Sequence, residues 1–235
     1  LILTEDTITI GNHQNGRGDK LSINEQKEYD PAKHQWVREK LQEAIEFNKK
    51  GYYKGISCKC CLSGKHGMTP EEEVKWLINE SNLNPYDEHL SWSNLWLNGN
   101  YPMFLEHMLP YFFNYDIVMV VNEKANIDRL PFKVKKDFRV GYNCMVNNYD
   151  TAEKVKDYIR ESGTKDAIVL CSAASLSNFV IYDGFRDNQD NTFLDIGSCL
   201  NPLLGLEGWR YTRGYLTGYW LNSGSPFQRQ VDVWS

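Results

Sequence analysis

The second half of this 235-residue chain predicts an α/β fold in which a parallel sheet carries helices on its flanks. Two observations predict it. Continuous apolar runs at 117–121 and 167–171 read as strands buried on both faces, the pattern of parallel sheets. Helical periods alternate with the strand-like runs, and strand–helix–strand units at this spacing join parallel neighbours by right-handed crossovers.

The elements follow in order. Residues 1–10 alternate like a strand, and 11–22 form a polar, glycine-bearing loop. A helix opens with Asp30 as N-cap and Pro31 in its first turn, where the missing N–H would have no partner anyway. Val37, Leu41, Ala44, Ile45 and Asn48 mark its inner face, and Gly51 ends it. Residues 53–58 read as a short strand running into a cysteine loop. Thr69, Pro70 and Glu72 form a capping box for a helix with Val74, Leu77 and Ile78 facing inward. Segments 90–97 and 101–113 read as aromatic-rich helices, with Pro110 bending or ending the second.

From 117 the period changes. Strands are expected at 117–121, 138–141, 167–171 and 192–197. Asp150 starts a helix with Ala152, Val155, Tyr158 and Ile159 inward and Gly163 as its stop. A turn at 172–175 leads to a second helix through Leu176, Phe179, Val180 and Phe185. The expectation is one domain over 1–235: an N-terminal part at 1–115 with a helical subregion, an α/β core at 116–200, and a tail at 201–235 rich in Gly, Trp and Tyr.

Composition narrows the function. Hydrophobic residues make up 41%, ample for a buried core. The net charge of −5, with scattered basic residues, argues against a partner held through nucleic-acid phosphates. No stretch approaches the roughly 20 apolar residues of a membrane span. Six cysteines without a framework pattern, two of them (Cys171, Cys199) beside apolar runs, suit a reducing, cytoplasmic setting.

Ligands of parallel sheets sit at the carboxyl ends of the strands, where helix N-termini present N–H groups. The turn Ser172, Ala173, Ala174, Ser175 is small enough for its backbone to approach a diphosphate, and a bulky residue at Ala173 should block that approach. The plainer reading is a tight connection with Ser175 capping the helix. Asp195 lies near the end of its strand, where a carboxylate among apolar residues costs free energy unless paired or bound. A catalytic role and a loop-holding role are evenly matched there. Glu123 and Asn143 follow two other strands in the same manner.

Other motifs carry less. Cys58, Cys60, Cys61 and His66 resemble zinc ligands in type, but one crowded cluster lacks the two spaced pairs of structural sites. Arg17-Gly18-Asp19 and the sequon at Asn79 read as chance. Trp92, Asn94, Trp96 and Asn98 suit sugar stacking, although tryptophans at that spacing belong more often to a core.

The order of segments resembles the GT-D glycosyltransferases. Ile10-Gly11, Tyr142-Asn143-Cys144, Ser172-Ala173-Ala174 and Asp195-Ile196-Gly197-Ser198 stand where that family has an Ile-Gly loop, an Asn-Ala-like step, a Gly-Pro-Thr-Ala-like turn and Asp-Ile-Gly-His. The likeness spans most of 8–198. It implies a Rossmann-like fold and a nucleotide-diphosphate sugar donor, usually a UDP-sugar, that transfers its sugar to a glycan or other hydroxyl acceptor. It also implies a divalent metal, manganese or magnesium, held by an Asp-x-Glu motif. The nucleotide would meet Asn143, Ser172, Ala173, Ala174, Ser175 and Ser198, with Asp195, then Glu123, as catalytic carboxylate. The chain departs from the pattern twice: Ser198 replaces the family's His, and no Asp-x-Glu motif is present, which leads us to expect it before Leu1 or replaced by another arrangement. The competing expectation, from a different class, is a non-catalytic nucleotide- or glycan-binding module that keeps the fold.

Overall fold

In a computed structural model, residues 33–56, 101–206 and most of 69–92 are described. The central sheet has four parallel strands: β3 (Ile117–Asn122), β4 (Val134–Val140), β5 (Ile168–Cys171) and β6 (Thr192–Asp195), in the spatial order β4-β3-β5-β6. The parallel pairing of β5 with β6 runs in register from Ile168–Thr192 to Cys171–Asp195. Two other strands, β1 (Lys54–Ile56) and β2 (Leu90–Trp92), form a separate parallel pair.

Helices α1 (Gln35–Glu46), α2 (Cys144–Asn147), α3 (Thr151–Ser162) and α4 (Leu176–Asp187) accompany them. The sheet separates two apolar layers. Val118 and Val120 of β3 face α1, α3 and α4 through Leu41, Val155 and Phe179. Ile117, Met119 and Val121 face the opposite side, where Tyr101, Phe104 and Phe112 meet Leu200 and Leu204. This two-sided burial is why β3 is apolar at five consecutive positions. The buried Tyr101 hydroxyl donates to the Cys199 carbonyl at 2.8 Å, so the phenol is satisfied inside that second layer.

The direction of travel across the sheet explains the choice of face. From β4 to β5 and on to β6 the chain moves one way, with α3 and α4 on the same side. From β3 to β4 it moves the opposite way, and its connection packs Ala125, Leu130 and Phe132 into the other layer. Changing face with direction is what a single crossover hand demands.

Several boundaries differ from expectation. Strand β4 begins at Val134, four residues before 138, because it is an edge strand whose exposed Lys135 and Lys136 and half-buried Asp137 hide its period. Its pairing with β3 skips Lys135 at an irregularity. Strand β6 stops at Asp195 rather than 197, since Gly197 takes a φ of 47° and turns the chain. Residues 90–92 are a strand, not a helix: pairing with 54–56 overrides local preference. Helix α1 has His34 as N-cap and ends at Glu46, which leaves Asn48 exposed outside it. Asn48 instead accepts a hydrogen bond from Lys54, whose ammonium also reaches the Ser81 carbonyl; burial pushes that lysine down to about 8.

Other readings match. Asp150 and Gly163 bracket α3, with Gly163 in the left-handed conformation that closes helices. The capping box is formed: Glu72 N–H donates to Thr69 Oγ1 at 3.3 Å, and Thr69 N–H donates to Glu72 Oε2 at 2.7 Å. The segment from Tyr101 is helical, wide-wound over Phe104–Met108 and tight over Leu109–Asn114. The change falls beside Pro110, which has no N–H for the preceding turn. The opening strand, Asp30, Pro31, Val74, Leu77, the cysteine cluster with His66, the Arg17-Gly18-Asp19 run, Asn94, Trp96, Asn98, the Trp92 side chain and the tail from 207 lie outside the described residues.

Candidate functional site

The strand order puts β3 at the centre of a reversal. Its chain leaves towards β4 and returns to the far side as β5, so the connections after β3 and β5 diverge. In open parallel sheets such a switch point leaves a crevice above the strand ends, and ligands bind there. The loops involved are 123–126 after β3 and 172–175 after β5.

The turn after β5 is built by two serines. Ser172 N–H continues the ladder to the Val120 carbonyl, and Ser172 Oγ donates to the Gly197 carbonyl at 2.6 Å, joining the rims of β5 and β6. Fully buried Ser177 accepts the Ala173 N–H at 3.1 Å. Ser177, not Ser175, is therefore the side chain that closes the helix start; Ser175 is the N-cap by position and makes no side-chain cap bond. The i+4 spacing from Ala173 to Ser177 is the sequence signal for this, masked by the nearer Ser175.

Within the turn, Ala174 adopts a φ of 47°, unusual for a residue with a Cβ and costing about 1 kcal/mol. Ser175 follows in the right-handed region. Successive residues of opposite hand turn their N–H groups to one side, a concavity suited to anions. The Leu176, Ser177 and Asn178 N–H groups bond the carbonyls three residues back. The Ala174 and Ser175 N–H groups have no backbone acceptor among the described residues. Ala173, by contrast, is buried against the α1, α3 and α4 layer. A bulky residue at Ala173 would therefore disrupt the core instead of screening a ligand. Ala174 is the exposed member of the pair.

The loop after β4 joins the same rim. Cys144 Sγ donates to the Ala173 carbonyl at 3.3 Å. Asn143 is buried, sits in the left-handed region, and its carbonyl accepts from Val146 and Asn147 at the start of α2. Asn148 Oδ1 accepts the Gly141 N–H at 3.0 Å. Asn143 thus serves the architecture of the loop, and Tyr142 beside it is exposed.

The two carboxylates are not a pair. Asp195 is level with Cys171 and Val120, two strands from β3, whereas Glu123 lies three residues beyond Val120. Standard strand spacing and rise then separate their α-carbons by roughly 14 Å. Glu123 turns the other way, and a Cβ built on Gly141 would come within 3.4 Å of its Oε2. Asp195 is exposed, contrary to the expectation of a carboxylate buried within its strand; a strand ending at that residue at the sheet edge leaves the side chain in solvent. Its Oδ1 accepts the Gly197 N–H at 2.9 Å, holding the loop that carries half-buried Ser198. Its negative charge, behind the effect of complete burial, also raises the Cys171 thiol well above the ordinary range.

Among the described residues no three His, Cys, Asp or Glu side chains gather as a metal site requires. Those residues therefore do not provide the ligand set for manganese or magnesium that the resemblance implies. Among them, no helix is long and apolar enough to cross a membrane. The class these features define is an α/β protein with a four-stranded parallel sheet, a switch point, and one continuous rim formed by the loops after β4, β5 and β6. No family model, curated protein or solved structure matches the chain.

Proposed function

We propose that this chain is a glycosyltransferase that takes a sugar from a nucleoside-diphosphate donor, a UDP-sugar, and passes it to a hydroxyl of a glycan or similar acceptor in the cytoplasm. The observation that carries the reading is the turn 172–175: small residues, a left-handed Ala174 and two N–H groups with no backbone acceptor among the described residues, all beside the switch point. Those groups suit the donor's diphosphate and the charge it gains as it leaves. In the transfer, the bond from the anomeric carbon to the diphosphate oxygen breaks with its electron pair going to the oxygen. The acceptor oxygen bonds that carbon, and its proton passes to a carboxylate. Our candidate for that role is exposed Asp195, which adjoins the same rim through Gly197 and Ser172. The described residues lack a ligand set for a divalent cation, so no step here runs through one.

Calorimetric titration with UDP, GDP and TDP, each with and without manganese, tests the reading, and UDP should bind most tightly. No binding of any of the three would overturn it. A second reading, a nucleotide-binding module without catalysis, is favoured by one observation: Asp195 already accepts a loop N–H and so has a structural use. Asp195→Asn separates the two. An enzyme should keep its nucleotide affinity and lose transfer by about 100-fold or more. A changed melting temperature with undiminished turnover per folded molecule would remove Asp195 from the chemistry.

A further inference from the structure

The rim has an end that the transfer step does not use, and its chemistry suits a nucleoside. Tyr142 follows Gly141 directly after β4, with 58% of its surface exposed. Among the described residues its ring packs on no other ring, although most aromatic side chains nearby do, as in Trp36–Tyr149 and Phe138–Tyr158. Its backbone is nevertheless anchored from both sides. Asn148 holds the Gly141 N–H, Asn147 Nδ2 donates to the Tyr142 carbonyl at 3.4 Å, and Cys144 ties the loop to Ala173. Next to it in the chain, Gly141 has the Glu123 carboxylate alongside, 3.4 Å from where a Cβ on that glycine would stand.

Resting on the glycosyltransferase reading, we infer that Tyr142 and Glu123 hold the nucleoside end of the donor: the ring stacks on the base, and the carboxylate accepts hydrogen bonds from the ribose hydroxyls. The dimensions agree. Two strand spacings, about 10 Å, separate β5 from β4, comparable to the reach of a nucleoside from its diphosphate. A donor with its diphosphate at 174–175 then crosses the switch point with ribose over the end of β3 and base over the loop after β4. The sugar falls on the opposite side, over β6, where Asp195 stands. This assigns the two carboxylates separate duties, as their separation requires. Glu123 becomes a binding residue for ribose, and Asp195 alone faces the reacting carbon.

Titration of the full chain with UDP and with inorganic pyrophosphate tests this. Tyr142→Ala should weaken UDP by roughly 5- to 150-fold, the range of one lost base–aromatic stack. Tyr142→Phe should bind UDP as the unaltered protein does, and pyrophosphate affinity should be the same in all three. Glu123→Gln should weaken UDP more than 2′,3′-dideoxy-UDP, which offers no hydroxyls. If the unaltered protein binds UDP and Tyr142→Ala binds it equally well, the inference fails while the transferase reading stands. If Tyr142→Ala weakens pyrophosphate as much as UDP, the side chain serves the diphosphate and the inference also fails. If the unaltered protein binds no nucleotide, the transferase reading itself fails.

Discussion

Replacing Gly184 with Ala should destabilise the protein, against the usual trend for helices. Gly184 lies inside α4, where alanine is ordinarily more favourable by about 1 kcal/mol. A Cβ at this position would meet the Phe193 ring at 2.7 Å from Cζ and 2.9 Å from Cδ1, with Cε1 closer still. Ordinary contact begins near 3.4 Å, so the ring would have to retreat by about 1 Å from a packed layer, a strain of typically 1–3 kcal/mol. The expected net loss is about 1 kcal/mol, read as a lower urea midpoint at unchanged slope or a melting point lower by about 2–4 °C. A double-mutant cycle isolates the cause. In a Phe193→Leu background the ring edge is gone, and Gly184→Ala should become neutral or stabilising by up to about 1 kcal/mol. Stabilisation in the unaltered protein, or the same effect in both backgrounds, would refute the argument that helix α4 needs glycine to seat on β6.

Two further predictions concern polar groups between elements. Asn191 is buried, accepts the Ala167 N–H at 2.9 Å and donates to the Thr164 carbonyl at 3.0 Å, so Asn191→Ala should cost about 2–3 kcal/mol by equilibrium denaturation; a loss under about 0.5 kcal/mol would contradict it. Asp187 is held down to about 2 by its hydrogen bond from Arg186 and by Lys156 of α3, so its contribution is present above the ordinary carboxylate value and is lost as pH falls through about 2. With 41% of the side chain exposed, solvent screening limits it to under about 1 kcal/mol. The stability gap between the unaltered protein and Asp187→Asn, measured by thermal melts, should shrink from pH 6 to pH 3 and with added salt; a gap that grows on acidification would reverse the assignment.

The sequence by itself determined the parts whose signals are local or two-sided. Five consecutive apolar residues at 117–121 announce a central strand, and Asp150 with Gly163 announces the limits of α3, because caps and full burial leave marks within a few residues. The turn 172–175 was legible as small residues between a strand and a helix. Tertiary structure decided the rest. Edge position, invisible in one strand's own residues, lets β4 carry Lys135, Lys136 and Asp137 and leaves Asp195 in solvent. Pairing with a partner thirty-six residues away turned 90–92 into a strand. Which alanine faces the core depends on the hand of one residue, Ala174, and on Ser177 reaching back to Ala173. The placement of Glu123 against Gly141, far from Asp195, follows from strand order alone, since chain order does not say which strand ends lie side by side.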